Sequence, residues 1–512
     1  MASTPRRRPG SPKRIKKPSA SQELRIALGI LACAPAALVY KAGLDNPFVL
    51  ADHFTVLLNP ALVDAWDLRA AVLHDLTRVP VTLSYAVDRA VWGFTSLGFH
   101  ITNFVLHVMV VGLFYGLCTR ALTDAGSNRG QTGVRPGSDR GQRGARAGSE
   151  RGQSGVRPGS NRGQTRVGGG SDPGLTPEWP AFFAASAFAL HPLMNSAVGY
   201  ISARAELLCA LGFLAALTFA RRAIVASNTL AWVLALAFGL VAVSSSAAGL
   251  ALPLVILAYD AWVLRDKGWR QRAVRIYLPA FGAIVVAAAW HLPALLAAER
   301  VPERGLAANA LTEFIVIWRY VALLVVPFGQ ALVHQVHWVT TPLDPIGLLA
   351  LLLLAGAVAG AFALRHSRPL VAFGAVWFLA VLAPTSSVIP LPDAMAEHRA
   401  YLASAGLILA LAAILALPLA TRRVVRTIAT VALVALAVQT YRRLIVWRDP
   451  MTLWQESVER SPDAWQARLG YAELLREVGQ CGRARAEYET VLRLYPNHAG
   501  AKAGLDLCKR GS

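Results

Sequence analysis

Apolar residues in this chain gather in runs of 15 to 20, and the charged residues fall between the runs instead of alternating with them. A half-buried strand would alternate, and a surface helix would repeat its apolar positions every three to four residues. Blocks of this length suit helices crossing about 30 Å of hydrocarbon. The pattern therefore predicts an all-α, multispanning membrane bundle. Its helices are expected near 26–43, 100–118, 180–193, 203–220, 228–245, 248–264, 277–297, 345–364, 369–386, 402–419 and 424–440, eleven spans in all. A further apolar stretch, 310–328, holds Glu313, Arg319 and Pro327, so it is expected to lie along the interface or to re-enter.

The chain is 55% hydrophobic and 16% charged, yet its net charge is +21. Such basicity can mean nucleic acid, so its location matters. Residues 1–17 carry seven Lys or Arg and no acid, and residues 125–174 carry nine Arg against three acids. No stacking aromatics accompany these arginines, so nucleic acid is not an expected partner and the charge is read as topology. With the N-terminal tail in the cytoplasm, the basic insert and the loops at 220–223, 265–275, 365–368 and 421–426 share its side. The loops at 44–99, 194–202, around 246, 298–344, 387–401 and everything after 440 then face outward. The expectation is a multi-pass protein of the cell (inner) membrane, in contact with membrane lipid, whose C-terminal module is extracytoplasmic.

Five parts follow: a basic tail (1–22), a first membrane part with a large outer loop (23–122), an insert (123–176), the main bundle (177–440) and a C-terminal module (441–512). The insert repeats GSNRGQTGVRP-like units with a period of 11 and is too poor in apolar residues to fold, so it is read as disordered. In the C-terminal module, Pro462 and Pro496 stand 34 residues apart with Leu469, Gly470, Tyr471, Leu474, Gly479, Ala484, Tyr488 and Leu492 between them. That is the tetratricopeptide period, here long enough for one helical hairpin docked on the membrane part. Cys33, Cys118 and Cys209 fall in apolar segments as small core residues; Cys481 and Cys508 have the option of pairing outside the cytoplasm.

Outward loops should be poor in arginine, so those present carry information. Arg78, Arg204 and Arg399 lie at outer helix ends with His100, His191, His398, Asp52 and Glu397. Singly, Asp52 reads as a cap and the arginines as snorkelling side chains. Together, guanidiniums, imidazoles and carboxylates on one face predict a site for an anionic substrate.

The segments PFVLADHFTVLLNP, RVPVTLSYAVDRAVWGFTSLGFHITNFVLH, ALHPLMNSAVGYISARAELLCALGFL and APTSSVIPLPDAMAEHRAYLASAGL occur in that order. With the C-terminal repeat, they resemble the TMTC-type family of membrane O-mannosyltransferase-like proteins with tetratricopeptide repeats. The likeness covers about four fifths of the chain. It implies a GT-C glycosyltransferase fold and a polyprenyl-phosphate sugar donor as substrate, with no cofactor and no metal. The sugar would be mannose or a similar one, and the acceptor an extracytoplasmic protein. By this resemblance Asp52 is the catalytic base, and Arg78, Arg204, His398 and Arg399 bind the donor phosphate. His100, Asn103, His191 and Glu397 support them. A single displacement would invert the anomeric centre.

The chain also departs from that family. Ala51 stands where a first acid is common, Met194 and Ser196 where His and Glu often follow His-Pro, and Ser246 and Ala247 where Lys-Glu is usual. These losses motivate a second expectation, a catalytically impaired scaffold that binds partners through its C-terminal module. A transporter is the weaker third, because the charges cluster at one face and no inverted repeat is visible.

Overall fold

The computed structural model describes residues 19–64, 66–132, 177–283, 285–286, 305–386, 393–416 and 423–510. Helices dominate these residues, and no strand occurs among them. Helix α1 (Ala20–Tyr40) opens with a capping box in which Ser19 and Gln22 exchange hydrogen bonds. Two short helices, α2 (Leu68–His74) and α3 (Val79–Trp92), follow before α4 (Ser96–Thr132). Next come α5 (Glu178–Leu190), α6 (Arg204–Ala226), α7 (Thr229–Val243) and α8 (Ala247–Leu264). The second half holds α9 (Leu306–Val325), α10 (Pro345–Leu364), α11 (Pro369–Leu382), α12 (Ala400–Leu415) and α13 (Arg423–Val446).

Eight helices among the described residues are long and apolar enough to cross a membrane, or nine if a bent pair is one span. That is fewer than eleven. The predicted helix at 277–297 runs into residues outside those described, while α7 and α11 are only 15 and 14 residues long. The helix expected over 180–193 stops at Leu190 and resumes after a 50° bend as Pro192–Val198. Pro192 supplies no N–H and pushes the residue before it out of the helical region, and His191 is extended there (φ −74°, ψ 129°).

Side-chain contacts define two ends of the bundle. At one end Asp124 of α4 takes two bonds from Arg221 of α6 and one from Tyr259 of α8, and Asp260 is held by Arg272 and Tyr277. At the other, Arg204 joins α6 to the start of α4, Ser246 joins the start of α8 to Glu206, and Leu444 of α13 covers Gly43 beyond α1. The anchor at Asp124 carries α4 past its predicted end at 118, and the helix runs on to Thr132, into a stretch expected to be disordered. Residues 133–176, the rest of that insert, lie outside the described residues.

Helix α9 has the length and composition of a span, although it was expected to lie along the interface. Leu311 meets Gly347 in the first turn of α10, and the Leu324 carbonyl accepts from His191, so both halves touch the Arg204 end of the bundle. Packing elsewhere relies on small residues. A Cβ on Gly374 of α11 would come within 2.2 Å of the Gly406 carbonyl of α12, so the two backbones are in contact.

Beyond α13, helices α14 (Pro450–Arg460), α15 (Trp465–Glu477), α16 (Cys481–Leu494) and α17 (Ala499–Arg510) pack in sequence around Tyr471, Leu475, Tyr488 and Val491. A disulfide joins Cys481 to Cys508, with Cα atoms 5.2 Å apart. The module is docked at the Arg204 end. Ser457 and Ser461 accept from the Val333 and Gln335 amides, Ser461 donates back to the Val333 carbonyl, and Arg443 pairs with Glu456.

Candidate functional site at the Arg204 end

The loop after α1 turns through Leu50, a non-glycine residue in the left-handed region (φ 53°), which costs roughly 1–3 kcal/mol. Asp52 holds that turn: its Oδ2 accepts from the Val49 amide at 3.1 Å. Its Oδ1 accepts from the Ser202 amide at 2.8 Å and from the Ser202 hydroxyl at 2.5 Å. The Asp52 side chain is fully buried. Burial, only partly offset by these bonds, raises its carboxyl to about 6.

Tyr200 connects this loop to the Glu397–Arg399 turn. Its hydroxyl accepts from the Ala51 amide at 3.1 Å, and its ring lies 6.1 Å from that of His398. Two stretches separated by some 340 residues in sequence thus share one site. Glu397 is buried and accepts from the Ala331 amide and from His334, both at 2.8 Å. It therefore fixes the extended segment against which the C-terminal module docks. Arg399 donates to the Asp393 carbonyl at 2.7 Å with one nitrogen, leaving its other donors for a ligand.

Arg204 does not have that freedom. It is fully buried: Nε donates to Asn103, Nη2 to the Phe99 carbonyl, Nη1 to Ser84, and Nη2 lies 2.6 Å from Asp88. The rings of Tyr85 and Phe99 cover its faces. The expected role as a phosphate ligand is therefore corrected. The guanidinium is consumed in joining α3, α4 and α6, and a fully enclosed cation has no face left for an anion.

The three supporting residues on α4 and at the α5 break are latches. His100 meets the Asn46 carbonyl at 3.0 Å, and Asn103 donates to the Val198 and Tyr200 carbonyls. His191 accepts from the Leu193 amide on Nδ1, so its Nε2 carries the proton that goes to Leu324.

Glu206 was missed by sequence reasoning. It is buried, its Oε1 accepts from Ser246 at 2.8 Å, and its Oε2 makes no hydrogen bond among the described residues. Arg399 and Arg78 are both within electrostatic reach of it. Arg78 is exposed, and its side chain makes no hydrogen bond among the described residues. A carboxylate two positions beyond an arginine, in the first turn of an apolar helix, was the available signal. Asp88, which neutralises Arg204, gave none, since it sits on a helix with ordinary polar spacing.

The arrangement brings together a raised carboxyl, a serine against it, a second buried carboxylate and two arginines with donors to spare. Such a set can accept a proton and hold an anionic group. No group of His, Cys, Asp and Glu suited to a metal ion occurs among the described residues. Comparisons with protein-family models, curated proteins and solved structures find no match for this chain.

Proposed function

We propose that the chain is an inverting membrane glycosyltransferase that moves a sugar, mannose or one like it, from a polyprenyl-phosphate donor to an extracytoplasmic acceptor. Asp52 takes the proton of the attacking hydroxyl as that oxygen reaches the anomeric carbon. Arg78, Arg399 and His398 face the leaving phosphate, which gains negative charge as the bond breaks. Arg204 is a positioning residue that keeps α3, α4 and α6 in register.

The observation that carries this reading is the convergence, through Tyr200, of Asp52 with the Glu397–Arg399 turn. A buried carboxyl raised to about 6 is suited to a base near neutral pH. The Cys481–Cys508 disulfide supports an extracytoplasmic C-terminal module, because such bonds persist in oxidising compartments. The site at the same end would then face outward. The tetratricopeptide-like hairpin is the part that would receive a protein acceptor.

The test is transfer of labelled mannose from purified polyprenyl-phosphate-mannose by the reconstituted protein. Asp52→Asn is expected to remain folded and inserted while transfer falls to background; wild-type rates would remove Asp52 from the chemistry. A specific observation favours the second reading, a scaffold without activity: both Asp52 oxygens are engaged in holding their own loop. No transfer by the wild-type protein with any lipid-linked sugar would select that reading.

A further inference from the structure

A groove of about 770 Å³ runs between α1 and α4, with its basic mouth at the end of the bundle opposite Arg204. Gly29, Cys33 and Ala37 form its α1 wall, and Gly112 and Gly116 its α4 wall. The helices run antiparallel, so Arg25 and Arg120 lie together at one mouth and Ala37 and Phe104 at the far end. From Arg25 to Ala37 the groove runs about 18 Å along α1, and from Phe104 to Arg120 about 24 Å along α4, at 1.5 Å per residue. That is longer than one leaflet, about half of a ~30 Å hydrocarbon core, and shorter than the whole of it.

The mouth is built for negative charge. Arg25 is half exposed and gives only its Nε to Glu178, at 2.7 Å. Arg120 is exposed, and the carboxylate of Asp124 beside it is already held by Arg221 and Tyr259. Tyr115, which lines the groove, is 6% exposed, and its hydroxyl has no hydrogen-bond partner among the described residues. The chain that leads into this end of α1 carries seven Lys or Arg within residues 1–17. A basic juxtamembrane segment favours anionic lipid by about 1 kcal/mol per charge.

We propose that this groove binds one anionic phospholipid of that leaflet, its acyl chain against the glycines and its phosphate between Arg25 and Arg120. A transmembrane helix is a poorer occupant. It would need an apolar face through both leaflets, and a second copy would bring its own arginines to the same mouth. The site is independent of the reading of the Asp52 end.

The experiment is native mass spectrometry of the full chain, titrated with phosphatidylglycerol or with phosphatidylcholine of the same acyl composition. The wild type should bind one phosphatidylglycerol saturably and in preference to phosphatidylcholine. Arg120→Gln should weaken phosphatidylglycerol about fivefold, as loss of one headgroup charge predicts, and leave phosphatidylcholine unchanged. Gly112→Leu should reduce both lipids, and because no neighbouring side chain or helix among the described residues lies within 4 Å of the added Cβ it should fold normally by circular dichroism. Equal phosphatidylglycerol binding by Arg120→Gln and wild type overturns the proposal. So does a Gly112→Leu variant that keeps both lipids but loses a wild-type dimer, which would make the groove an interface between copies.

Discussion

Asp52 and Arg204 show how burial separates residues that look alike in a sequence. Both are polar, both lie near helix ends, and both are fully buried. Arg204 meets Asp88 and three further acceptors, so removing it strands a charge inside the protein. Arg204→Ala should cost about 3–5 kcal/mol, read as a lowered melting temperature in detergent. Arg78→Ala, at an exposed position, should melt as the wild type does and lose transfer. For Asp52, burial favours the protonated form, so its ionised fraction grows as pH rises through about 6. If it is the base, transfer should climb across that range and level off above it. Its contribution to stability runs the other way: full below the ordinary 3.8, it is lost as pH rises through about 6. A pH series of transfer rates and melting curves checks both, and Asp52→Asn should abolish the second dependence. The candidate residues were legible because an acid or an arginine beside an apolar run is unusual. Their partners were not, since Ser202 and Tyr200 are ordinary residues until the fold brings them to Asp52.

Among the elements, periodicity and length located most helices to within a few residues, and the errors have local causes. Pro192 breaks a stretch that hydropathy alone reads as continuous, and the break turns His191 into a latch on α9. Helix α4 continues past its predicted end at 118 to Asp124, which Arg221 and Tyr259 engage. Helices α11 and α12 meet at Gly374 and Gly406, where hydropathy gives no sign of a crossing. Gly374→Leu should push these helices apart at a cost of about 1–3 kcal/mol, visible as a lower melting temperature. The same change at Gly356, which has nothing within 4 Å of its Cβ position, should be silent.

For the whole molecule, the bundle has two polar ends with different jobs. One closes on Asp124 and Asp260; the other gathers Asp52, Glu206, Glu397 and the C-terminal helices. The disulfide ties the start of α16 to α17, and closing such a loop is worth about 2–4 kcal/mol. Cys481→Ser should therefore speed proteolysis of the C-terminal helices and leave the membrane part intact on a gel. Loss of the membrane part as well would mean that the module is required for the bundle itself. The sequence by itself determined that the chain is helical, suited to a membrane, and strongly basic in its N-terminal tail and insert. These properties are sums over local composition, and water and hydrocarbon act on them residue by residue. Tertiary structure alone decided which charges remain available. Whether a guanidinium can meet a ligand depends on what encloses it, and for Arg204 that enclosure comes from residues 84 to 103, a hundred or more positions away.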